Sequence, residues 1–437
     1  MTNRRQFLRN AGLAGVIGLA GCTGNEKNPE GNQNLKATTT NKTTETTETD
    51  TTTESTTTTN TPDEVVIGSI HPFTGPTSYV GTRLHQALKL AAKIKNENGG
   101  IKSLGGAKVR VVKGDHKNKP ATGAEVAKEL INQGVDVLTG TYSSPVASAV
   151  AKVAETQQVP FVIDIAVAAS ILQKRKLDYV YRVQPNSWSQ AADHVTGITA
   201  IADQANIDVG SAALFYVDMT YGHAIKKGLE RAFKDTSIEV VEKSTIGFGG
   251  TADTQVTKFR QANPDILIPT VFTNQMLELV DSMQDQNYWP KMFAPCASAG
   301  MNPKTFKKMG KVINGALPTG YAINPHKKKA EQINKRYMKT YDTASMTANV
   351  AVAYTTGEVL TNTFEEAGST DPQKLNRTLE KIKVSDHILA MPPISFTKRG
   401  ENANPLSVTS QVQNMQNKIV YPDRYAEANI KVNTIGQ

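Results

Sequence analysis

The chain has 437 residues, 38% of them apolar and 20% charged, which is enough for two domains with cores of their own. Its 49 basic and 40 acidic residues give a formal net charge of +9. Removal of a leader that contains Arg4, Arg5 and Arg9 and no acid would leave 46 basic residues and a net charge of +6. The remaining basic residues are scattered, which argues against a nucleic-acid-binding surface. With only two cysteines, Cys22 and Cys296, a disulfide framework or a cysteine-rich zinc site is not expected.

The first 22 residues carry the most specific signal of the chain. Residues 3–9 (NRRQFLR) match the twin-arginine export pattern, and the apolar run at 11–20 is too short to span a bilayer. Residues 19–22 (LAGC) match a lipobox. These features predict a signal peptide at 1–21 and a lipid on Cys22, which places the protein on the outer face of the cell membrane.

Residues 22–62 are predicted to form a lipidated stalk. Of the 24 residues at 38–61, 16 are threonine, and no aromatic residue occurs among them. Such a segment cannot bury enough apolar surface to offset the entropy of ordering it. We expect a flexible spacer that holds the folded body away from the membrane.

From residue 63 onward, strands alternate with helices. Apolar runs predict strands at 64–70, 108–113, 135–138 and 160–165, with helices ending near 98 and 132 between them. The pattern restarts after residue 185, with strands at 212–217, 238–245, 266–270 and 292–294. This predicts two α/β lobes, each a doubly wound parallel sheet, with a ligand cleft between them.

Past residue 321 the sequence predicts helices at 328–341 and 348–367 and short strand-like pieces at 394–396 and 407–412. These pieces are too short for a third sheet and are expected to complete the two lobes. The predicted division is 63–184 plus 321–397 for one lobe and 185–320 plus 398–437 for the other. The chain would then cross between the lobes about three times, as suits a hinged cleft.

One stretch, residues 133–169, reads as strand, tight loop, helix and strand. Its loop carries Tyr142, Ser143 and Ser144, with Ser144 expected as the N-cap and Pro145 as the first helical residue. Ligands bind where parallel strands end and helices begin, because unpaired helix N–H groups point there. The sequence therefore predicts a binding loop at 142–144.

Motifs for catalysis are missing. There is no G-x-S-x-G, no P-loop and no G-x-G-x-x-G, and the seven histidines show no metal-ligand spacing. Only His71, which follows the first strand, falls near a site, and packing in the turn is its favoured role. We expect a protein that is not an enzyme and that needs neither a cofactor nor a metal.

From residue 64 to about 422 the chain resembles the type I periplasmic binding proteins that serve ABC importers of branched-chain amino acids and amides. The matching runs, each short but in the family's order, are IGSIHPFTGPTSYVG, NENGGI with LGGAKVRVVKGD, GTYSSPVASAVAKVAETQQVPFV, DYVYRVQPNSW, YVDMTYGHAIKKGLERAF, PDILIPTVFTN and GSTDPQKLNRTLE. The resemblance implies a monomer that captures a small ligand by cleft closure and passes it to ABC permease and ATPase subunits.

The resemblance also implies site residues in the first lobe. The family's carboxylate-binding loop matches residues 142–144. Its second contact loop matches residues 164–168, where Asp164, Ala166 and Ala168 stand and where Ala168 replaces the family's threonine.

In the second lobe, Tyr221 of a Tyr-Gly motif and Phe272 match the family's aromatic cleft residues. The acid that usually grips a ligand ammonium falls at about Cys296, and a second acid falls at about Ser187, so both charges are lost. For Cys296, a small buried filler is favoured over a reactive thiol. Core packing is a serious alternative role for the aromatic residues.

Two ligand hypotheses follow, because a buried ammonium without a charged partner costs several kcal/mol. Either Asp164 replaces the lost acids and an amino acid binds, or the ligand has a carboxylate or amide end and an apolar body. A loop-capping role for Asp164 is an equal alternative. At the level of function, an extracellular sensor that partners a membrane receptor is the alternative to an importer component.

Overall fold

The computed structural model describes residues 61–173, 176–297 and 301–431. The predicted signal peptide, the lipid-attachment residue Cys22 and all but the end of the stalk lie outside these residues. In the described part of the chain, no helix combines the length and the apolar composition that crossing a membrane requires.

Twelve strands and twelve helices are described. The strands are β1 (Glu64–His71), β2 (Lys108–Asp115), β3 (Val137–Gly140), β4 (Phe161–Ile163), β5 (Val180–Arg182), β6 (Ser211–Val217), β7 (Glu239–Ile246), β8 (Ile266–Thr270), β9 (Met292–Phe293), β10 (Thr319–Gly320), β11 (Val408–Gln413) and β12 (Gln416–Tyr421). The helices are α1 (Ser78–Glu97), α2 (Pro120–Asn132), α3 (Ser144–Gln157), α4 (Ser170–Gln173), α5 (Ser187–Ala205), α6 (Thr220–Phe233), α7 (Asp253–Ala262), α8 (Thr273–Asp285), α9 (Pro303–Met309), α10 (Lys328–Tyr341), α11 (Ala348–Ala367) and α12 (Pro372–Leu379).

Lobe 1 is built on a five-stranded parallel sheet of order β2-β1-β3-β4-β5. Alternate residues of β1 enter different cores: Val65 and Ile67 pack with α1, α10 and α11, whereas Val66 and Ile70 pack with α2 and α3. A strand covered by helices on both faces must be apolar throughout, which is why β1 reads as a continuous apolar run.

Lobe 2 follows the same plan on a parallel sheet of order β7-β6-β8-β9. In β6, Ala213 and Phe215 pack with α7 and α8, whereas Ala212 and Leu214 pack with α5 and α6. The predicted architecture of two α/β lobes with doubly covered parallel sheets is confirmed.

The strands β10, β11 and β12 form a small antiparallel sheet, so the expectation that no third sheet forms is wrong. β10 joins the sheet by pairing with β11 across some ninety residues of sequence, which leaves little local signal, whereas β11 and β12 are joined by a two-residue turn. The small sheet joins lobe 2, because the backbone N–H of Thr319 donates to the Pro295 carbonyl at 2.9 Å and Val412 and Val420 enter the lobe 2 cores. The predicted strand at 394–396 makes only single bridges, from Ile394 to Val384 and from Phe396 to Asn402.

A buried histidine in lobe 1 is held in one protonation state by its neighbours. His387 is 1% exposed, its Nδ1 lies 3.2 Å from the Leu389 backbone N–H, and its Nε2 lies 3.0 Å from the Pro392 carbonyl. The Leu389 N–H donates to Nδ1, so the neutral ring must carry its proton on Nε2. Burial lowers the pKa of His387 to about 4.

This ring should make the fold sensitive to acid. Because the folded pKa lies below the unfolded value of about 6.5, its contribution is present above pH 6.5 and is lost as the pH falls toward 4. From pH 7 to pH 5 the loss through this group should be about 2 kcal/mol. Urea unfolding at both pH values should show a smaller drop in the free energy of unfolding for His387→Asn than for the parent chain. Equal drops would contradict this assignment.

Candidate functional site

The candidate site residues follow the carboxyl ends of strands in both parallel sheets. In lobe 1, β1, β3 and β4 all end at the same edge, and in lobe 2 the residues after β6 and β8 do likewise. Tyr142 of lobe 1 and Tyr221 of lobe 2 come within electrostatic reach of each other and of Tyr321, which follows β10. Tyr142 and Tyr321 also pack against the core of lobe 1, and Tyr221 packs against that of lobe 2.

The loop after β3 is shaped by a close backbone contact. Gly140 has a φ of +130°, and a Cβ there would meet the Ile70 carbonyl oxygen at 2.2 Å, so only glycine fits. Tyr142 and Ser143, which follow in this loop, are both half-buried. This close approach brings the loop against the end of β1.

The expected N-cap was placed one residue too late. Ser143 occupies the N-cap position of α3, with an extended backbone and no side-chain capping bond, and Ser144 is the first helical residue. The Ser144 hydroxyl is used elsewhere, because it accepts the Ala168 backbone N–H at 3.3 Å. The Ser143 hydroxyl and the first-turn N–H groups of α3 can thus serve an anion at this edge.

Asp164 lies at the end of β4 and is completely buried. Its Oδ2 is 3.1 Å from Nε2 of His71, which is also completely buried. Among the described residues, neither Asp164 carboxylate oxygen accepts a hydrogen bond of good geometry. The acid that could have replaced the family's lost charges therefore already has a basic neighbour inside the protein.

Ala166 and Ala168 face the core of lobe 1, where each is 1% exposed. Their carbonyl oxygens are occupied, since Gln184 Nε2 donates to Ala166 at 3.1 Å and Arg182 Nη2 donates to Ala168 at 2.9 Å. The structure gives both alanines a role in shaping the loop through their small side chains and backbone.

Arg182, which sequence reasoning missed, is the main support of this loop. Its guanidinium is completely buried and donates from Nη1 to the Val167 carbonyl at 2.9 Å as well as to Ala168. Its Nε lies 3.7 Å from the Glu401 carboxylate, and its backbone N–H donates to the Gly400 carbonyl at 2.8 Å. Arg182 therefore joins the loop after β4 to the segment at residues 400–401.

In lobe 2, Tyr221 and Phe272 stack, with ring centroids 5.4 Å apart and planes inclined by 29°. The Tyr221 hydroxyl donates to the Ala297 carbonyl. Both rings also contact the lobe 2 core, so packing and a place at the cleft coexist in the same side chains. A stacked pair of this kind offers a flat apolar wall.

Cys296 and Ser187, which stand where the family carries acids, are both completely buried. Cys296 packs in the lobe 2 core, where burial raises the pKa of its thiol and keeps it neutral. The Ser187 hydroxyl accepts the Ala169 backbone N–H at 3.1 Å. Neither side chain can supply a charge to a ligand ammonium.

Tyr321 was also missed, and it completes a group of three phenols with Tyr142 and Tyr221. Its hydroxyl donates to Asn349 Oδ1 at 2.5 Å. Burial raises the pKa of all three phenols, and the proximity of Tyr142 is a further cause for the other two. All three therefore stay neutral at physiological pH. The Tyr221 and Tyr321 protons are already donated within the protein, so of the three only the Tyr142 hydroxyl has no such acceptor among the described residues.

Residues 61–173, 176–297 and 301–431 contain no cluster of three histidine, cysteine or acidic side chains that could hold a metal ion. The chemistry on offer is that of binding: hydroxyl and backbone donors beside aromatic walls.

The fold and the converging loops define a two-lobed solute-binding protein. The sequence profile of the periplasmic binding proteins matches residues 64–416, and the chain belongs to that family. The predicted resemblance to type I members that serve ABC importers of branched-chain amino acids is confirmed. This is a family of exported binding proteins rather than enzymes, as the missing catalytic motifs predicted.

Three relatives illustrate the similarity. Leu/Ile/Val-binding protein homolog 7 of Brucella suis biovar 1 is 23% identical over 380 residues, covering 84% of this chain and 94% of the relative. A Rhodopseudomonas palustris solute-binding protein solved with benzoate has a TM-score of 0.69 at 17% identity, covering 86% of this chain and 99% of that one. A branched-chain amino acid transporter substrate-binding protein of Streptococcus pneumoniae was solved with isoleucine. It has a TM-score of 0.68 at 18% identity, and the match covers 82% of this chain and 100% of that one.

Removing the Arg182 guanidinium should destabilise the protein strongly. Arg182→Met leaves Glu401 buried without its basic neighbour and two carbonyls without donors, so we expect a loss of about 3–5 kcal/mol in the free energy of unfolding. Urea denaturation measures this loss. Arg110→Met is the matched control, because its ion pair with Glu64 is about half exposed and contributes little. Similar losses in the two variants would contradict the assigned role.

Proposed function

We propose that the protein captures a small ligand with a carboxylate or amide end between its lobes and delivers it to ABC permease and ATPase subunits. Family membership supports the delivery role. The observation that carries the binding role is the proximity of Tyr142, which follows β3, Tyr221, which follows β6, and Tyr321, which follows β10 of the small antiparallel sheet. Sites between lobes allow closure to bury the ligand on both sides.

We propose residues 142–144 as the part of the site that receives the ligand's polar end. The Ser143 hydroxyl caps no helix N–H, and α3 begins there with its positive dipole end. The phenol of Tyr142 is a neutral donor nearby, whereas the Tyr221 O–H already donates to the Ala297 carbonyl. An anionic or amide oxygen is the group that such donors stabilise.

Of the two ligand hypotheses, the burial of Asp164 favours the second. An ammonium would have to share a carboxylate that already lies 3.1 Å from His71. Cys296 and Ser187 offer no replacement, because both are neutral and buried. We therefore propose a ligand without an α-ammonium, whose apolar body lies against Tyr221 and Phe272.

The relatives support this range of ligands without choosing within it, since one was solved with benzoate and another with isoleucine. An amino acid remains the competing ligand. We also propose the lobe bounds predicted above, 63–184 plus 321–397 and 185–320 plus 398–437.

Outside the described residues, we propose that residues 1–21 direct export through the twin-arginine route and that Cys22 carries the lipid. The threonine-rich segment at 22–62 would then separate the binding lobes from the membrane. Two or more acyl chains give lasting attachment, because each buried CH₂ contributes about 0.8 kcal/mol.

The ligand class can be tested by thermal melts of the full chain against amino acids, amides and carboxylates. At about 1,000 times its dissociation constant, a ligand should add roughly 4 kcal/mol and raise the melting temperature by several degrees. We expect shifts with carboxylates or amides, and we expect Asp164→Asn to keep them. A shift by leucine that Asp164→Asn abolishes would show instead that Asp164 holds an ammonium. No shift with any compound would contradict the proposed ligand class.

The anchor can be tested by fractionating cells of the native host. Cys22→Ser should release the protein from the membrane fraction, because no acyl chain can be attached. Mass spectrometry of the parent N-terminus should show a lipid on Cys22. Cys296→Ser, which leaves the leader intact, is the matched control and should stay in the membrane fraction. A Cys22→Ser variant that remains there would overturn the anchor.

A further inference from the structure

A row of aromatic rings leads from the cleft toward solvent. It begins with Tyr221 and the stacked Phe272, and it continues to Phe248, whose ring centroid lies 5.9 Å from that of Phe272 at an inclination of 45°. Phe248 is 69% exposed, more than any other large apolar side chain in the described ranges. A ring so exposed forgoes the free energy that burial would provide.

The backbone around Phe248 leaves room for its ring to move. The residue lies between β7 and α7, in a loop with Gly247, Gly249 and Gly250. Gly249 has a φ of +78°, and a Cβ built at Gly247 or Gly249 would meet no atom within 4 Å. The backbone on both sides of Phe248 is therefore open, and no neighbouring atom crowds Gly247 or Gly249.

The contacts within this row of rings indicate which kind of group would cover the exposed Phe248 side chain. Phe248 touches Phe272, which touches Tyr221, and Tyr221 lies within electrostatic reach of Tyr142 of lobe 1. The exposed face is thus continuous with the ligand site. A planar apolar body held at Tyr221 and Phe272 can reach the Phe248 ring by extending along the row.

We propose that Phe248 is a specificity-determining residue that packs on the aromatic body of a bound carboxylate. The inference rests on the proposed function and narrows its ligand class to aromatic carboxylates. An aliphatic carboxylate would use the polar end of the site but would gain less from the ring, because aromatic pairs attract beyond the area that they bury.

Isothermal titration of the full chain with benzoate, 3-phenylpropanoate and the aliphatic 4-methylpentanoate tests this. For the aromatic acid that the parent binds best, Phe248→Ala should raise the dissociation constant about tenfold or more, while 4-methylpentanoate changes by less than about threefold. Phe248→Trp should keep the aromatic preference. The melting temperature of unliganded Phe248→Ala should match the parent, because the ring is exposed in the free protein.

Val241→Ala is the matched control, since Val241 is a 40% exposed apolar residue on β7 and should leave every dissociation constant unchanged. Equal affinities of parent and Phe248→Ala for the aromatic acids would overturn the inference alone. Equal weakening for aromatic and aliphatic acids would overturn it too, because the ring would then lack selectivity. If the parent binds leucine but no carboxylate, the proposed ligand class fails and this inference fails with it.

Discussion

One buried guanidinium ties the loop after β4, which borders the candidate site, to the segment at residues 400–401. Arg182 donates to the carbonyls of Val167 and Ala168, lies beside Glu401 and receives support from Gly400 through its backbone. The loop after β4 in turn inserts the Val167 side chain into a core cluster of lobe 2. The loop that borders Asp164 therefore contacts both the Arg182 network and the core of lobe 2. A charge buried this deeply is tolerated only because several partners surround it at once.

The polarity of the site follows from the residues that replace the family's ligand-binding acids in this chain. Cys296 fills the core, Ser187 supports a loop, and Asp164 lies against His71, so the structure supplies neutral donors and aromatic walls rather than a free carboxylate. The phenols remain protonated because burial raises their pKa. Neutral donors stabilise an anionic or amide end, and aromatic walls suit an apolar body. These constraints act together on the same small volume.

Periodic patterns predicted most of the fold, and long-range pairing explains the errors. Helices α10 and α11 begin and end where their apolar spacing predicted, at 328–341 and 348–367. The strand β12 was missed because it opens with three polar residues and is stabilised by pairing with β11. Tyr321 follows a two-residue strand that exists only through such pairing, and the partners of Arg182 lie far from it in the chain, so no local pattern marks either residue. The roles of Tyr142, Ser143, Tyr221 and Phe272 as ligand contacts stay predictions.

The central claim is that the site binds a carboxylate or amide in preference to a ligand with an α-ammonium. Matched pairs test it most directly, because leucine and 4-methylpentanoate, or phenylalanine and 3-phenylpropanoate, differ only in the amino group. Calorimetric titration of each pair should give tighter binding of the deaminated acid by about tenfold or more, because an ammonium would have to share the Asp164 carboxylate with His71 at 3.1 Å, and Cys296 and Ser187 supply no charge. Tighter binding of either amino acid would contradict the account and return Asp164 to the role of ammonium receptor.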